Sequence, residues 1–345
     1  MKILLTGCCK NIESNIDIVK KSFYELSKNI EKCKCVFYEN NSEDNTPIIL
    51  KEWQDEDSNV KCIIEKYTNE ELLNMCKAVT WDNKPCRVEI ISMARNKILN
   101  EIDNDLYNEF DYVIMFDLDH KNVLPVDKIL NVLNKYNDFD ALICKGTDQN
   151  GDMYDTYAYR DHKYPLGAEI VGDDTGYFDI LKQIEVRNKT NLIPVLSSFN
   201  GMAILKKSSI KNIRYSAYPS SALNKIYKNI KENPSSFEKY KTETLLLERQ
   251  LTINYNIRLT KSLSDIYSIF DKDKSEIKTH NEGRLQGVYL YGTDGIFYQN
   301  CSGFNYPIVC EHVIFFLEMR EKGFDKIFLC PELEWSSVWY DVNKK

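Results

Sequence analysis

From Met1 to Lys145 the chain alternates short runs of β-branched and aromatic residues with longer segments whose apolar residues recur at helical spacing. That alternation builds βαβ units, which lay their strands side by side in a parallel sheet covered by helices. Strands are predicted over 2–5, 35–38, 60–65, 112–116 and 141–145, and helices over 12–29, 47–56, 89–104 and 126–136. The second helix is the best marked: Thr46 is placed to cap it, and Pro47 stands at the first-turn position where a missing N–H costs nothing. The fold class expected is α/β.

Past Lys145 the pattern turns irregular. Turn signals stand at Asn150-Gly151-Asp152 and Gly172-Asp173-Asp174, and a strand is predicted across 194–205 with an interruption at Asn200-Gly201. Residues 216–278 are polar and rich in Lys and Asn, as expected of surface helices and loops. A final helix over 310–322, ended by Gly323, leads into a strand over 326–329. With neither an internal repeat nor a separating linker, the 345 residues read as a single domain.

Net charge is −7, and no stretch concentrates Lys and Arg with interleaved aromatics, which removes nucleic acid as a partner. No window approaches the roughly 18 apolar residues of a spanning helix. The opening Met1-Lys2-Ile3-Leu4-Leu5-Thr6-Gly7 reads as a buried strand and not as a signal peptide, so a cytoplasmic location is expected. The 11 cysteines are dispersed and odd in number, as expected of reduced, mostly buried thiols. No Cys-x-x-Cys pair occurs, and Cys8-Cys9 and Cys33-x-Cys35 lack partners at zinc-site spacing.

The segment that points to chemistry is Tyr112-Val113-Ile114-Met115-Phe116-Asp117-Leu118-Asp119-His120. An apolar strand ending in Asp-x-Asp sets two carboxylates on one side of the chain at the carboxyl edge of the sheet, where open α/β sheets bind ligands. Such close carboxylates repel unless a cation lies between them, and oxygen ligands suit Mg²⁺ or Mn²⁺ bridging a diphosphate. In isolation the same motif also reads as a solvated strand-end turn. A second polar edge, Glu39-Asn40-Asn41-Ser42-Glu43-Asp44-Asn45-Thr46, has groups able to read a ribose or base, or simply to form a hydrophilic turn. Arg95, in Met93-Ala94-Arg95-Asn96, has the charge to meet a phosphate. Gly-x-Gly-x-x-Gly, Gly-x-x-x-x-Gly-Lys, Gly-x-Ser-x-Gly and His-Glu-x-x-His are all absent, which weighs against dehydrogenase, P-loop, α/β-hydrolase and zincin readings. By sequence logic alone, Cys310-Glu311-His312 is a helix start with an acidic first turn and a bystander histidine.

Taken together, these segments resemble a GT-A fold glycosyltransferase, and more narrowly the fungal capsule-associated α-1,3-mannosyltransferase family. The matching pieces come in order: Tyr38 to Thr46, Ala94-Arg95-Asn96, Asp117-Leu118-Asp119, Tyr154-Asp155-Thr156-Tyr157-Ala158-Tyr159-Arg160-Asp161, Ser197-Ser198-Phe199-Asn200-Gly201-Met202-Ala203 and Cys310-Glu311-His312. The stretch from Asp44 to Trp53 is also similar to the collagen hydroxylysine glycosyltransferases. The resemblance implies a Rossmann-like, mainly parallel central sheet flanked by helices. Residues 1–145 would bind the nucleotide sugar, and 146–345 the acceptor, with a polar helical insertion near 216–278. It implies a UDP- or GDP-linked donor, a glycan or glycoprotein acceptor, and Mn²⁺ or Mg²⁺. On the donor side fall Thr6, Glu39, Asp44, Arg95 and Asp117. The metal would take Asp117, Asp119 and the late His312, with Asp119 facing it directly. Tyr154, Arg160, Asp161 and Gly201 fall on the acceptor side, and Asp155, Asn200 and Glu311 near the reacting centre. Retention of configuration is implied; an inverting enzyme would need Glu311, or an acid of Asp173-Asp174, as base. A non-catalytic nucleotide-sugar or glycan binder and a sugar nucleotidyltransferase are the alternatives.

Overall fold

The computed structural model describes residues 1–79, 83–148, 151–171, 181–182, 191–232, 288–291, 297–300 and 308–335. Strand β1 (Lys2–Cys9) leads through a 3-10 turn (Glu13–Asn15) into α1 (Ile16–Ser27). There follow β2 (Lys32–Asn40), α2 (Thr46–Glu56), β3 (Val60–Glu65), α3 (Asn69–Met75), α4 (Arg87–Ile102), β4 (Tyr112–Phe116), α5 (Val126–Lys135) and β5 (Ala141–Lys145). Further along lie α6 (Ala168–Val171), β6 (Ile193–Pro194), β7 (Met202–Lys206), α7 (Ser221–Glu232), the paired β8 (Val288–Tyr291) and β9 (Phe297–Asn300), α8 (Glu311–Glu321) and β10 (Ile327–Glu334).

Eight strands form one sheet in the order β3-β2-β1-β4-β7-β5-β10-β6. β3, β2, β1 and β4 run parallel. β7 enters antiparallel between β4 and β5, β10 pairs parallel with β5, and β6 is antiparallel to β10. The sheet is therefore mixed and mainly parallel, as expected. Strands covered on both faces read as continuous apolar runs, and β4 obeys: Val113, Ile114, Met115 and Phe116 are all buried. One face packs Phe23 of α1, Trp53 of α2 and Ile129 of α5. The other packs Leu99 and Ile102 of α4 with Phe315 and Phe316 of α8. Helix α8 is buried from Glu311 to Leu317, the state of a central helix and not of a surface one.

Several expectations need correction. Helix α1 starts at Ile16 because the 3-10 turn precedes it. Thr46 does not cap α2: Asn45 holds that position without a side-chain bond, and the Thr46 hydroxyl accepts the Ile12 N–H at 2.9 Å. Helix α3 was not anticipated, although Thr68 and Glu71 form a full capping box at its start. The strand expected over 194–205 splits into β6 and β7, because Asn200 and Gly201 between them take φ of 54° and 88°. Asp173, Asp174 and most of 216–278 lie outside the described residues. The ten described cysteines are unpaired thiols, all but Cys8 buried. No helix among the described residues is long and apolar enough to cross a membrane.

Candidate functional site

A cleft of about 500 Å³ opens at the carboxyl ends of β1, β2 and β4, bounded by Cys8, Lys10, Asn40, Arg87, Arg95, Asp117 and Asp119 among others. β1 lies between β2 and β4, so the connections leave it in opposite directions, and such a switch point is where open α/β sheets bind ligands.

One rim is built from two stitched loops. Asn11 N–H donates to Ser42 Oγ at 2.9 Å, and Glu43 N–H donates to Asn11 Oδ1 at 2.7 Å. The Glu13 carboxylate accepts from the backbone and side chain of Asn45. Asp44 accepts from Glu13 N–H and Thr46 N–H, each at 3.0 Å, and Glu39 accepts from Ser42 N–H at 2.7 Å. Burial pulls the Asp44 carboxyl upward, but these bonds from Thr46 and Glu13 outweigh it and hold the group below its ordinary value. Glu39 and Asp44 thus shape the rim. Thr6 is sealed in the sheet, 1% exposed, with its hydroxyl on Ile114 O, which removes it from contact with a ligand in this arrangement.

The acidic centre follows β4. Asp117 N–H donates to Gly201 O at 2.9 Å, which ties the strand end to the turn before β7. Asn15, buried behind it, donates to Leu118 O and His120 O and fixes the course of the Asp-x-Asp turn. Burial, reinforced by Asp119, Asp155 and Glu311 against the opposing Arg95, pushes the Asp117 carboxyl up to about 8. Desolvation raises Asp119 as well, although its side chain reaches solvent at the cleft mouth. Arg95 stands behind this pair, Nη2 3.9 Å from Asp117 Oδ1 and Nε 3.3 Å from Glu311 Oε1. Its guanidinium carbon lies 5.0 Å from the Phe199 ring centre and 5.5 Å from that of Tyr215. The next residue, Asn96, exchanges two hydrogen bonds with the Tyr215 backbone and so fixes that aromatic wall.

Beyond Asp117 the expected acceptor residues divide. Asp155 N–H donates to Asn200 Oδ1 at 3.1 Å, and Asn200 Nδ2 donates to Cys144 O. Burial raises the Asp155 carboxyl to about 6, with Glu311 adding to the effect and Ala158 N–H, Arg160 and Arg95 opposing it. Tyr154, next to it, feels Asp117 and Asp119 and is raised, chiefly by burial. Arg160 is elsewhere: 1% exposed, it pairs with Glu169 at 3.1 Å and donates to Tyr157 O and Tyr159 O. A Cβ on Gly167 would overlap the Arg160 guanidinium, so the backbone closes directly over the pair. Asp161 is spent on its own turn, accepting from Tyr159 Oη, Lys163 N–H and Tyr164 N–H. Neither lines the cleft as expected.

His312 departs furthest. It stacks on Phe199 at 3.9 Å and 15°, edge-on to Tyr215, because the start of α8 is buried among aromatics. Its Nε2 lies 3.6 Å from Glu311 Oε1, and burial and Arg95 hold its pKa well below the ordinary histidine value. Among the described residues no three His, Cys, Asp or Glu side chains gather into a preformed metal cage, and both ring nitrogens of His312 are buried without a hydrogen-bond partner. Two carboxylates still fit Mg²⁺ or Mn²⁺, which take one or two protein carboxylates and fill the remaining positions with phosphate oxygens and water. The raised Asp117 is itself a sign of fit, because a cation there would replace the proton.

Two cleft residues escaped the sequence reading. Lys10 and Arg87 border the cavity, and neither has an ion-pair partner among the described residues. Arg87 left a signal: it is the first residue of α4, where a positive charge works against the helix dipole.

The family model for Cryptococcal mannosyltransferase 1 matches residues 4–244. No curated protein matches the chain. Among solved structures, TarS 1–349 of S. aureus is 12% identical over 81% of this chain and 77% of its own, with a TM-score of 0.37. Mannosyltransferase PcManGT of Pyrobaculum calidifontis, in complex with GDP-Man and Mn²⁺, is 14% identical over 66% and 51%, with a TM-score of 0.33. Glucosyl-3-phosphoglycerate synthase of Mycobacterium tuberculosis, with Mn²⁺, UDP and glucosyl-3-phosphoglycerate, is 12% identical over 67% and 66%, with a TM-score of 0.33. With its match running across well over half the sequence and through the Asp117 strand end, the chain belongs to the Cryptococcal mannosyltransferase 1 family and is a glycosyltransferase.

Proposed function

We propose that the protein moves a hexose from a nucleotide-diphosphate sugar, GDP-mannose or a UDP-hexose, to a hydroxyl of a glycan or glycoprotein, with Mn²⁺ or Mg²⁺ held by Asp117 and Asp119. The observation that carries this reading is the pair of carboxylates at the end of β4, opening into a switch-point cleft that also holds unpaired Arg87 and Lys10. When bound, the cation supplies Lewis-acid stabilisation of the charge that develops on the leaving diphosphate.

The chain's own groups do the rest. The two stitched loops give the nucleotide a rim that needs little ordering on binding, which keeps the entropic cost low. Arg87 and Lys10 face the diphosphate charge, and Arg95 balances Asp117 and Glu311 so that three carboxylates can stand close together. Asp155, raised to about 6 and oriented by Asn200, is placed in hydrogen-bonding and proton affinity to hold an acceptor hydroxyl near neutral pH. Residues 1–145 serve the donor in this scheme and 146–345 the acceptor.

A thermal-shift screen of UDP, GDP and their hexose conjugates, each with Mn²⁺ and with EDTA, tests it. Ligand at about 100 times its Kd should add about 2.7 kcal/mol of stability, and only when the cation is present. No stabilisation by any nucleotide, or stabilisation undiminished in EDTA, defeats the metal–diphosphate reading.

A further inference from the structure

The edge of the sheet opposite the cleft holds a cavity that the scheme above leaves unused. It measures about 600 Å³ and lies where Tyr112, the first residue of β4, pairs with Lys206, the last of β7. Past Lys206 the chain makes a 3-10 turn, Lys207–Ile210, held to the entry of β4 by the Lys207 N–H donating to Asp111 O at 3.0 Å. The turn brings Lys207, Ser208 and Lys211 to the cavity, together with the buried ring of Phe110.

The cations gathered there are not all balanced. The Met1 ammonium has Glu31 at 3.3 Å, and Lys206 donates to Asn137 O at 2.8 Å. Asp111, a carboxylate at the cavity, accepts the Lys2 N–H at 2.8 Å. The side chains of Lys207 and Lys211 have neither an ion-pair nor a hydrogen-bond partner among the described residues. Lys207 is nevertheless 7% exposed; burial lowers its pKa, Asp103 opposes the fall and Lys211 adds to it. Asp103 is not spare, because Arg214 Nη2 stands 2.9 Å from its Oδ2. A buried ammonium without a counter-charge is costly, and the apolar floor strengthens its attraction for any anion brought beside it.

A cation is repelled by both lysines, and a neutral ligand leaves Lys207 uncompensated. A phosphoryl group brings up to two negative charges and three acceptor oxygens, enough to meet two ammoniums and the Ser208 hydroxyl at once. We propose that this cavity is a phosphoryl-binding site remote from the cleft, in which Lys207 and Lys211 hold the anion and Ser208 donates to it. The site does not depend on the glycosyl-transfer reading. Its phosphoryl group is carried either by a soluble phosphate or by a phospholipid headgroup, and two arms of one experiment separate them.

In the first arm the full chain, labelled with ¹³Cε-lysine, is titrated with pH in inorganic phosphate and in chloride of matched ionic strength. The Lys207 resonance is identified by its absence from Lys207→Arg. Phosphate should raise the Lys207 pKa by about one unit, a tenfold preference of the anion for the charged amine. By calorimetry, Lys207→Met should weaken phosphate binding about tenfold or more, and Lys211→Gln about two- to fivefold. Lys10 and Arg87 can draw phosphate to the cleft as well, so Arg87→Gln is titrated beside them. Binding lost in Arg87→Gln and intact in Lys207→Met puts the anion in the cleft and overturns the site. In the second arm the chain is sedimented with phosphatidylcholine vesicles, with and without phosphatidic acid. A response to phosphate assigns a soluble phosphate. Sedimentation that needs phosphatidic acid and Lys207, without a response to phosphate, assigns a headgroup. A Lys207 pKa equal in phosphate and chloride, with no such sedimentation, overturns the proposal.

Discussion

Asp117→Asn probes the charge balance at the heart of the cleft. The Asp117 carboxyl is pushed from its ordinary 3.8 up to about 8. Between those values the folded chain holds a proton that the unfolded chain has released. With more protons bound on the folded side, stability falls as pH rises, at a slope approaching about 1.4 kcal/mol per pH unit for one full proton. From about pH 6 to about pH 7.5 the metal-free protein should therefore lose roughly 2 kcal/mol from this group. Asp155, raised to about 6, releases roughly half of its own proton inside that window, a smaller slope that both proteins share. Asparagine keeps the shape and removes the titration, so the variant's stability should be flatter by that amount. The measurement is urea unfolding in EDTA at several pH values across the window, for both proteins. Millimolar Mn²⁺ should flatten the wild-type profile too, because a cation takes the place of the proton. Parallel wild-type and Asp117→Asn profiles in EDTA would show that Asp117 is already ionised, and the raised-carboxyl argument for a cation would fall.

Arg160→Met leaves the Glu169 carboxylate, which still accepts from Tyr227 Oη, without its cation in a sealed interior and should cost about 3–5 kcal/mol in chemical unfolding, whereas Glu169→Leu combined with it should restore part of the loss. An Arg160 variant of undiminished stability but impaired acceptor use would return the residue to the cleft. Asp44→Ala removes the acceptor for two backbone N–H groups of the rim and should weaken donor binding by about five- to thirtyfold with kcat nearly unchanged. A kcat loss at constant donor KM would instead tie that loop to the reacting sugar.

The strands at 60–65, 112–116 and 141–145 were legible to the residue because each is a run too short for a helix, rich in apolar residues and bounded by turn chemistry. The Asp117-x-Asp119 edge was legible for the same reason, since a strand end fixes where its next residues stand. What sequence could not show was direction. Arg160 lies in a segment that resembles the family's acceptor region, yet its guanidinium turns inward, because Glu169 nine residues later offers a buried partner. His312 was expected at the metal, but the side chain follows the aromatic wall of Phe199 and Tyr215, contacts made across more than 90 residues. His120 and Trp335 were invisible as a pair because only β10, pairing with β5 from far along the chain, brings them together. Local rules find elements; orientation is settled by partners remote in sequence.

The place of β10 in the sheet also bears on how the protein is made. β1 to β4 can pair as they emerge, in parallel contacts closed by helices of ordinary length. β5 gains its inner neighbour β7 some 60 residues later, but its outer neighbour β10 spans 327–334, so that edge stays open through the synthesis of nearly two hundred intervening residues. An unpaired edge with apolar Ala141, Leu142 and Ile143 is a template for wrong pairing. During elongation the nascent chain therefore carries a largely paired N-terminal half of the sheet beside an unfinished border, and ribosome-bound chains stalled before residue 327 should recruit holdase chaperones to the 141–145 segment.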